Sequence, residues 1–211
     1  MRHIIHLSSV LLLLTASSCN GIFDGIYDEP PVETSAGVGF IERPTPTQVG
    51  KIYFDATSYT DWVYLDFNTL TMTTLPVGEE APAEWDMAVH RYDVKTNGGA
   101  VLETGATSVA GLNYTGVGEN WIADEWTEET IVTDMSTMMD GYLSYAPDFY
   151  NAEMSKWLDV DKSSMPPTYT PSNKVYLLRR ADSTVIALRL ANYMDASGVK
   201  GWMTIEYQFI N

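Results

Sequence analysis

Methionine is the resource this sequence holds in unusual supply: ten in 211 residues, beside one cysteine and three histidines. A thioether is either a pliable filler of apolar cores or a soft metal ligand, and its position decides between the two. Met87 and Met203 alternate inside strand-like runs and read as core. Met135 and Met139 stand four apart with Met138 beside them, which fits one apolar stripe of a short helix. Met165 has no such explanation. It sits in Ser163-Ser164-Met165-Pro166-Pro167, a loop whose pattern asks for no large apolar side chain.

Other chemistries are thinly provided. His3 and His6 belong to the N-terminal leader, which leaves His90, placed mid-strand and read as a structural histidine in the core or at a sheet edge. No Gly-x-Ser-x-Gly elbow, phosphate-cradling glycine loop or His-x-x-x-His pair occurs. The acid pairs Glu79-Glu80, Asp124-Glu125 and Glu128-Glu129 have the residue type for glycoside hydrolysis. They lie in polar, loop-like sequence, where solvated charge is the commoner meaning. The expectation is a binding protein and no enzyme.

The first residues are an address. Arg2, an apolar run over 4–14 and Ala16-Ser17-Ser18-Cys19 form a secretory signal that ends on a lipobox cysteine. The apolar run, about eleven residues, falls short of the roughly 20 that a spanning helix needs. Residues 1–18 are therefore read as a signal peptide, with a lipid on Cys19 as the only membrane attachment. That cysteine committed, disulfides, cysteine–metal sites and cysteine nucleophiles are excluded. Residues 19–47 carry Pro30, Pro31, Pro44 and Pro46 without a period and read as a lipidated tether. Residues 48–211 remain for one domain. Without Arg2 the chain holds 11 Lys and Arg against 28 Asp and Glu, a net charge of −17. Such a surface repels nucleic acid and anionic headgroups. The acids Asp24, Asp28 and Glu29 just after Cys19 fit export to the cell surface.

The elements that position these groups are mostly strands. Residues 51–54 and 62–67 alternate and are rich in aromatic and β-branched side chains. Residues 85–99, Trp-Asp-Met-Ala-Val-His-Arg-Tyr-Asp-Val-Lys-Thr-Asn-Gly-Gly, read as one alternating strand closed by a turn at Asn97-Gly98-Gly99. Residues 174–180, 184–193 and 202–209 form a meander, with Met203, Ile205, Tyr207 and Phe209 on one face. Between these halves, Pro147 is placed to start a short helix carrying Phe149, Tyr150 and Met154. Residues 161–173, with Pro166, Pro167 and Pro171, read as a loop. The predicted fold is all-β: a single domain of mostly antiparallel sheets with a small irregular or helical ligand-binding excursion.

Three stretches resemble one family. They are Asp-Ala-Thr-Ser-Tyr-Thr-Asp-Trp-Val-Tyr-Leu at 55–65, the run at 85–99 and Pro-Thr-Tyr-Thr-Pro-Ser-Asn-Lys-Val at 167–175, followed by Asp195 and the last strand. Together they resemble the HmuY family, haem-binding lipoproteins of Gram-negative anaerobes. The resemblance implies a β-rich domain that holds haem, iron protoporphyrin IX, between two loops at the outer-membrane surface or after release. It further implies delivery to a TonB-dependent outer-membrane haem receptor and leaves a homo-oligomer open. Members ligate iron with one axial side chain from each loop, histidine in the best-known pattern and methionine in some relatives. Neither loop of this chain holds a histidine. Aligned on Pro167-Thr168-Tyr169, the second loop offers Met165; the first, at 134–141, offers Met139, with Met138 as alternate and Met135 still open. Two soft, neutral thioethers would favour ferrous over ferric iron. Tyr142, Tyr145, Phe149, Trp157 and Tyr169 are candidates to pack on the porphyrin, and Lys162, Lys156 or Lys174 to meet its propionates. The rival reading is a surface glycan-binding lipoprotein, resting on six tryptophans and thirteen tyrosines.

Overall fold

A computed structural model describes residues 37–114, 119–163 and 166–210. The signal peptide, Cys19 and the tether up to residue 36 lie outside the described residues, as does Met165.

Every strand pairing is antiparallel, and the strands form two main sheets. The larger has the order β1 (Gly39–Glu42), β2 (Gly50–Asp55), β15 (Lys200–Ile210), β14 (Val185–Met194), β13 (Tyr176–Arg179), β7 (Ala100–Glu103) and β8 (Ile122–Ala123). The smaller has the order β4 (Thr71–Pro76), β3 (Asp61–Asp66), β5 (Met87–His90) and β6 (Asp93–Thr96). Ile52, Phe54, Leu188, Met203, Ile205 and Tyr207 from the first and Val63, Leu65, Met87 and Val89 from the second fill one core. Period-2 alternation puts these side chains on facing surfaces, and each contributes roughly 1.5–3 kcal/mol by leaving water. Met87 and Met203 are core fillers, and Phe209, at the far end of its strand, is partly exposed.

Two further hairpins stand off these sheets. One joins β9 (Glu125–Asp134) to β10 (Ser144–Tyr150) through a single 3₁₀ turn at Met138–Asp140. The other joins β11 (Leu158–Asp161) to β12 (Thr168–Pro171). The first lies on the outer face of the smaller sheet, where Ile131 packs in a cluster with Trp62, Tyr64 and Ala88.

Four local expectations are corrected. The tether does not run to residue 47, because β1 pairs with β2 and Phe40 packs edge-on to Phe67 and Tyr207. The run at 85–99 is not one strand: it folds back at Arg91-Tyr92, pairing His90 with Asp93, with Arg91 in the left-handed region at φ 57°. Pro147 starts no helix. It lies in β10 where the register shifts between Ala146 and Asp148, so its missing N–H breaks no ladder bond. Residues 168–171 are not loop, since β12 pairs along its whole length with β11.

Gly201 couples the larger sheet to the Arg91 turn. Its φ is 107°, and a Cβ there would stand 2.9 Å from the Thr57 Cα and 2.8 Å from Arg91 Nη1. Gly201→Ala is expected to destabilise the fold by about 1–3 kcal/mol, lowering the melting temperature by a few degrees. A variant that melts with the parent in a thermal scan would show that this contact carries no constraint.

Candidate functional site

Both projecting hairpins grow from one buried joint, residues 151–157, which links the end of β10 to the start of β11. Asn151 is wholly buried: its backbone N–H donates to Val94 O at 2.6 Å, and Nδ2 donates to Ile122 O and Asp124 Oδ1. Its Oδ1 accepts from Met154 N–H at 2.9 Å and so opens the second 3₁₀ turn, Met154–Trp157. Met154 and Trp157 enter the core, and Trp157 Nε1 donates to Tyr92 O at 2.8 Å. The same segment thus fixes two hairpins and the turn between them.

A cleft of about 320 Å³ opens where these three parts meet. Val132, Met135, Met138, Leu143 and Tyr145 line it from the first hairpin, with Glu129 among them. Val160, Lys162, Pro167 and Tyr169 line it from the second. Tyr59 and the residues His90 to Asp93 line it from the sheet end. The Tyr169 wall is held from behind: its carbonyl accepts from Tyr193 Oη at 3.1 Å, its ring stacks on Tyr193 at 5.8 Å, and Lys200 Nζ lies 4.2 Å from its centroid.

The floor is polar and tightly held. His90 is buried with its ring 5.3 Å from Trp62, and Nε2 is 2.9 Å from the Tyr59 carbonyl oxygen, so Nε2 is the protonated nitrogen and donates. Burial holds its pKa below the usual histidine range, leaving the ring neutral, and Nδ1 has no partner among the described residues. Arg91 Nη1 donates to Thr57 O at 2.6 Å, and the guanidinium lies 4.5 Å from the Tyr59 centroid. Its Nε is buried and likewise without a partner among the described residues. Burial pushes the Asp93 carboxyl up to about 7, against the pull of the Lys162 ammonium. Tyr92 and Tyr169 are both raised by burial and stay neutral phenols.

Of the residues selected by sequence, Tyr145, Lys162 and Tyr169 come together in this cleft, with Met135 and Met138. Met139, 84% exposed, and Tyr142, 72% exposed, are not among the lining residues. Phe149 serves a different cleft and packs edge-on to Trp126 at 5.1 Å. Trp157 lies beneath the site as part of the joint. Lys156 pairs with Glu153 at 2.6 Å and Lys174 with Glu103 at 2.5 Å, away from the cleft. Sequence reasoning missed Tyr59, Arg91, Tyr92 and Asp93: all sit inside the quoted motifs, the last three in the run read as one strand and Tyr59 between the strands at 51–54 and 62–67. No local sign marks Arg91-Tyr92 as a turn, because the groups that hold Arg91 there are Thr57 and Tyr59.

Chemically, this is a cleft lined by apolar and aromatic side chains, two thioethers and two cationic side chains. Such a cleft suits a flat apolar molecule that carries carboxylates on one edge. Iron protoporphyrin has that shape and charge, so the residues present fit the group.

Over residues 58–207 the chain matches the profile of the HmuY protein family. Among solved structures it is similar to a Bacteroides vulgatus protein assigned as HmuY-like and heme-binding, at 51% identity over 81% of this chain and 97% of that one, with a TM-score of 0.75. It is also similar to a Bacteroides fragilis protein assigned as a lipoprotein, at 49% identity over 83% and 97% of the two chains and a TM-score of 0.75. An apo HmuY analogue from Tannerella forsythia shares the fold at 18% identity, over 78% and 96% of the chains, with a TM-score of 0.65. No curated protein matches.

The Asp93 floor has a pH signature. Its folded pKa, about 7, is above the ordinary 3.8, so the ionised carboxylate disfavours the folded state. The stabilisation from the protonated form is complete below about pH 4 and is lost as pH rises through about 7. Asp93→Asn should therefore flatten the dependence of unfolding free energy on pH across that window, by an amount on the order of 1–3 kcal/mol, read by denaturant titration at each pH. Parallel pH profiles for variant and parent would refute this assignment.

Proposed function

The chain belongs to the HmuY family, and from that membership we propose that it binds haem in the cleft between its two hairpins. The observation that carries this reading is the joint placement of Tyr145, Tyr169, Met135 and Met138 around a cleft that Arg91 and Lys162 also line. The rings and aliphatic side chains would cover the macrocycle, and Lys162 and Arg91 would meet the propionates in an otherwise acidic protein.

For the axial positions we propose one thioether from each hairpin tip. Met165 is the candidate from the second loop. From the first, cleft lining supports Met138 and Met135 above the more exposed Met139, which stays in the set because it is the next residue of the same turn. The bound iron would supply a redox-active, soft-ligand-accepting centre. The protein's own part is to bring two neutral sulfurs to it and to exclude water, which favours the reduced state. We further propose that the chain is a carrier with no catalytic turnover, anchored by a lipid on Cys19 to the outer membrane, and that it hands its cargo to a TonB-dependent receptor.

The test is a haem titration under dithionite and again in air. The expected result is a six-coordinate low-spin ferrous spectrum and tighter binding when reduced. Met165→Ala and one of Met135→Ala, Met138→Ala or Met139→Ala should each weaken ferrous binding at least about tenfold, or about 1.4 kcal/mol. A spectrum that survives all four substitutions rules out sulfur ligation, and absence of any Soret change rules out haem.

A further inference from the structure

A second cleft, which the haem reading does not use, opens at the root of the first hairpin with a volume of about 430 Å³. Trp85 and Phe149 give it aromatic surface, and Asn97, Asp124 and Asp148 give it polar surface beside the Gly98-Gly99 turn. Phe149 is 51% exposed and Trp126, packed against it, 55%. Two large aromatic rings left adjacent in water mark a contact surface more than a folding requirement.

The polar groups are fixed in advance. Asp124 accepts from Thr96 N–H, Thr96 Oγ1 and Asn151 Nδ2, and Asp148 accepts from its neighbour Phe149 N–H and from Lys95 Nζ at 2.8 Å. A carboxylate has about four acceptor sites, so both retain capacity for a ligand hydroxyl. Lys95 is buried, with its ammonium 4.3 Å from the Trp62 centroid. Its charge opposes entry of a second cation, while the two carboxylates oppose an anion. At Gly98 no atom lies within 4 Å of where a Cβ would stand, so the floor is open to close approach.

We propose that this cleft binds a neutral saccharide, whose C–H face stacks on Phe149 and Trp85 while its hydroxyls donate to Asp124 and Asp148. Charge-assisted donation to a pre-oriented carboxylate beside an aromatic face satisfies both surfaces of a sugar ring, whereas a simple anion meets the two acids and a simple cation meets Lys95. The site is independent of the haem cleft: no residue lines both.

Tryptophan fluorescence and calorimetry of the purified protein with maltose, cellobiose, lactose and diacetylchitobiose test the proposal, with tetramethylammonium as a cationic probe. At least one disaccharide is expected to bind with a dissociation constant on the order of 1 mM or tighter. Phe149→Ala, at a half-exposed position, and Asn97→Ala, at an exposed one, should each weaken it at least about fivefold. Added haem should leave the saccharide affinity unchanged. No response from any disaccharide up to about 20 mM overturns the proposal, as does unaltered affinity in both variants. Competition by haem, or binding of the cationic probe alone, overturns it too.

Discussion

The hydrogen bond from Trp157 Nε1 to Tyr92 O ties the deepest part of the core to the floor of the cleft. Trp157 is wholly buried, so its N–H must find an acceptor inside the protein, and the carbonyl it finds belongs to a two-residue turn that would otherwise end in solvent. Asn151 does the complementary work at the other end of the joint, spending its side-chain donors and acceptor on Ile122, Asp124 and Met154. Removing either partner would leave buried polar atoms unsatisfied, at a cost of about 1–3 kcal/mol each. The positions of both hairpins relative to the sheet therefore follow from a few obligatory bonds.

The chemistry of the cleft follows from what this frame leaves free. In a chain with net charge −16, six of the twelve basic side chains, Lys51, Lys95, Lys156, Lys174, Arg180 and Arg189, stand in ion pairs. Arg91 and Lys162 make no such pair among the described residues, and both line the cleft. Asp93 lines the same cleft and ionises only as pH rises through about 7, so below that pH it adds little negative charge to the lining. The apolar sides come from residues whose alternation points them off the hairpins, where no further layer covers them.

Strand alternation made the meander over 174–209 legible in advance, because Met203, Ile205 and Tyr207 recur at period 2 and so share one buried face. Met165, between Ser164 and Pro166, has no packing reason in the sequence pattern to be there, and it lies outside the described residues. What stayed hidden was the turn at Arg91-Tyr92. A bulky cation at φ 57° carries no turn signature, and it is held there by the Thr57 carbonyl and the Tyr59 ring, both distant in sequence. Local pattern cannot report a conformation that tertiary contacts impose.

The aromatic residues of β10 show the same limit in another form. The resemblance groups Tyr145 and Phe149 at one ligand, and both stand on β10. Between them the register shifts, with Ala146 opposite Ile131 and Asp148 opposite Thr127, so β9 contributes two more residues than β10 over that step. Such a mismatch bends and twists a hairpin. Tyr145 then lines the cleft toward the tip, and Phe149 lines the one at the root. A single irregular step, placed where Pro147 has no N–H to lose, divides one strand between two clefts.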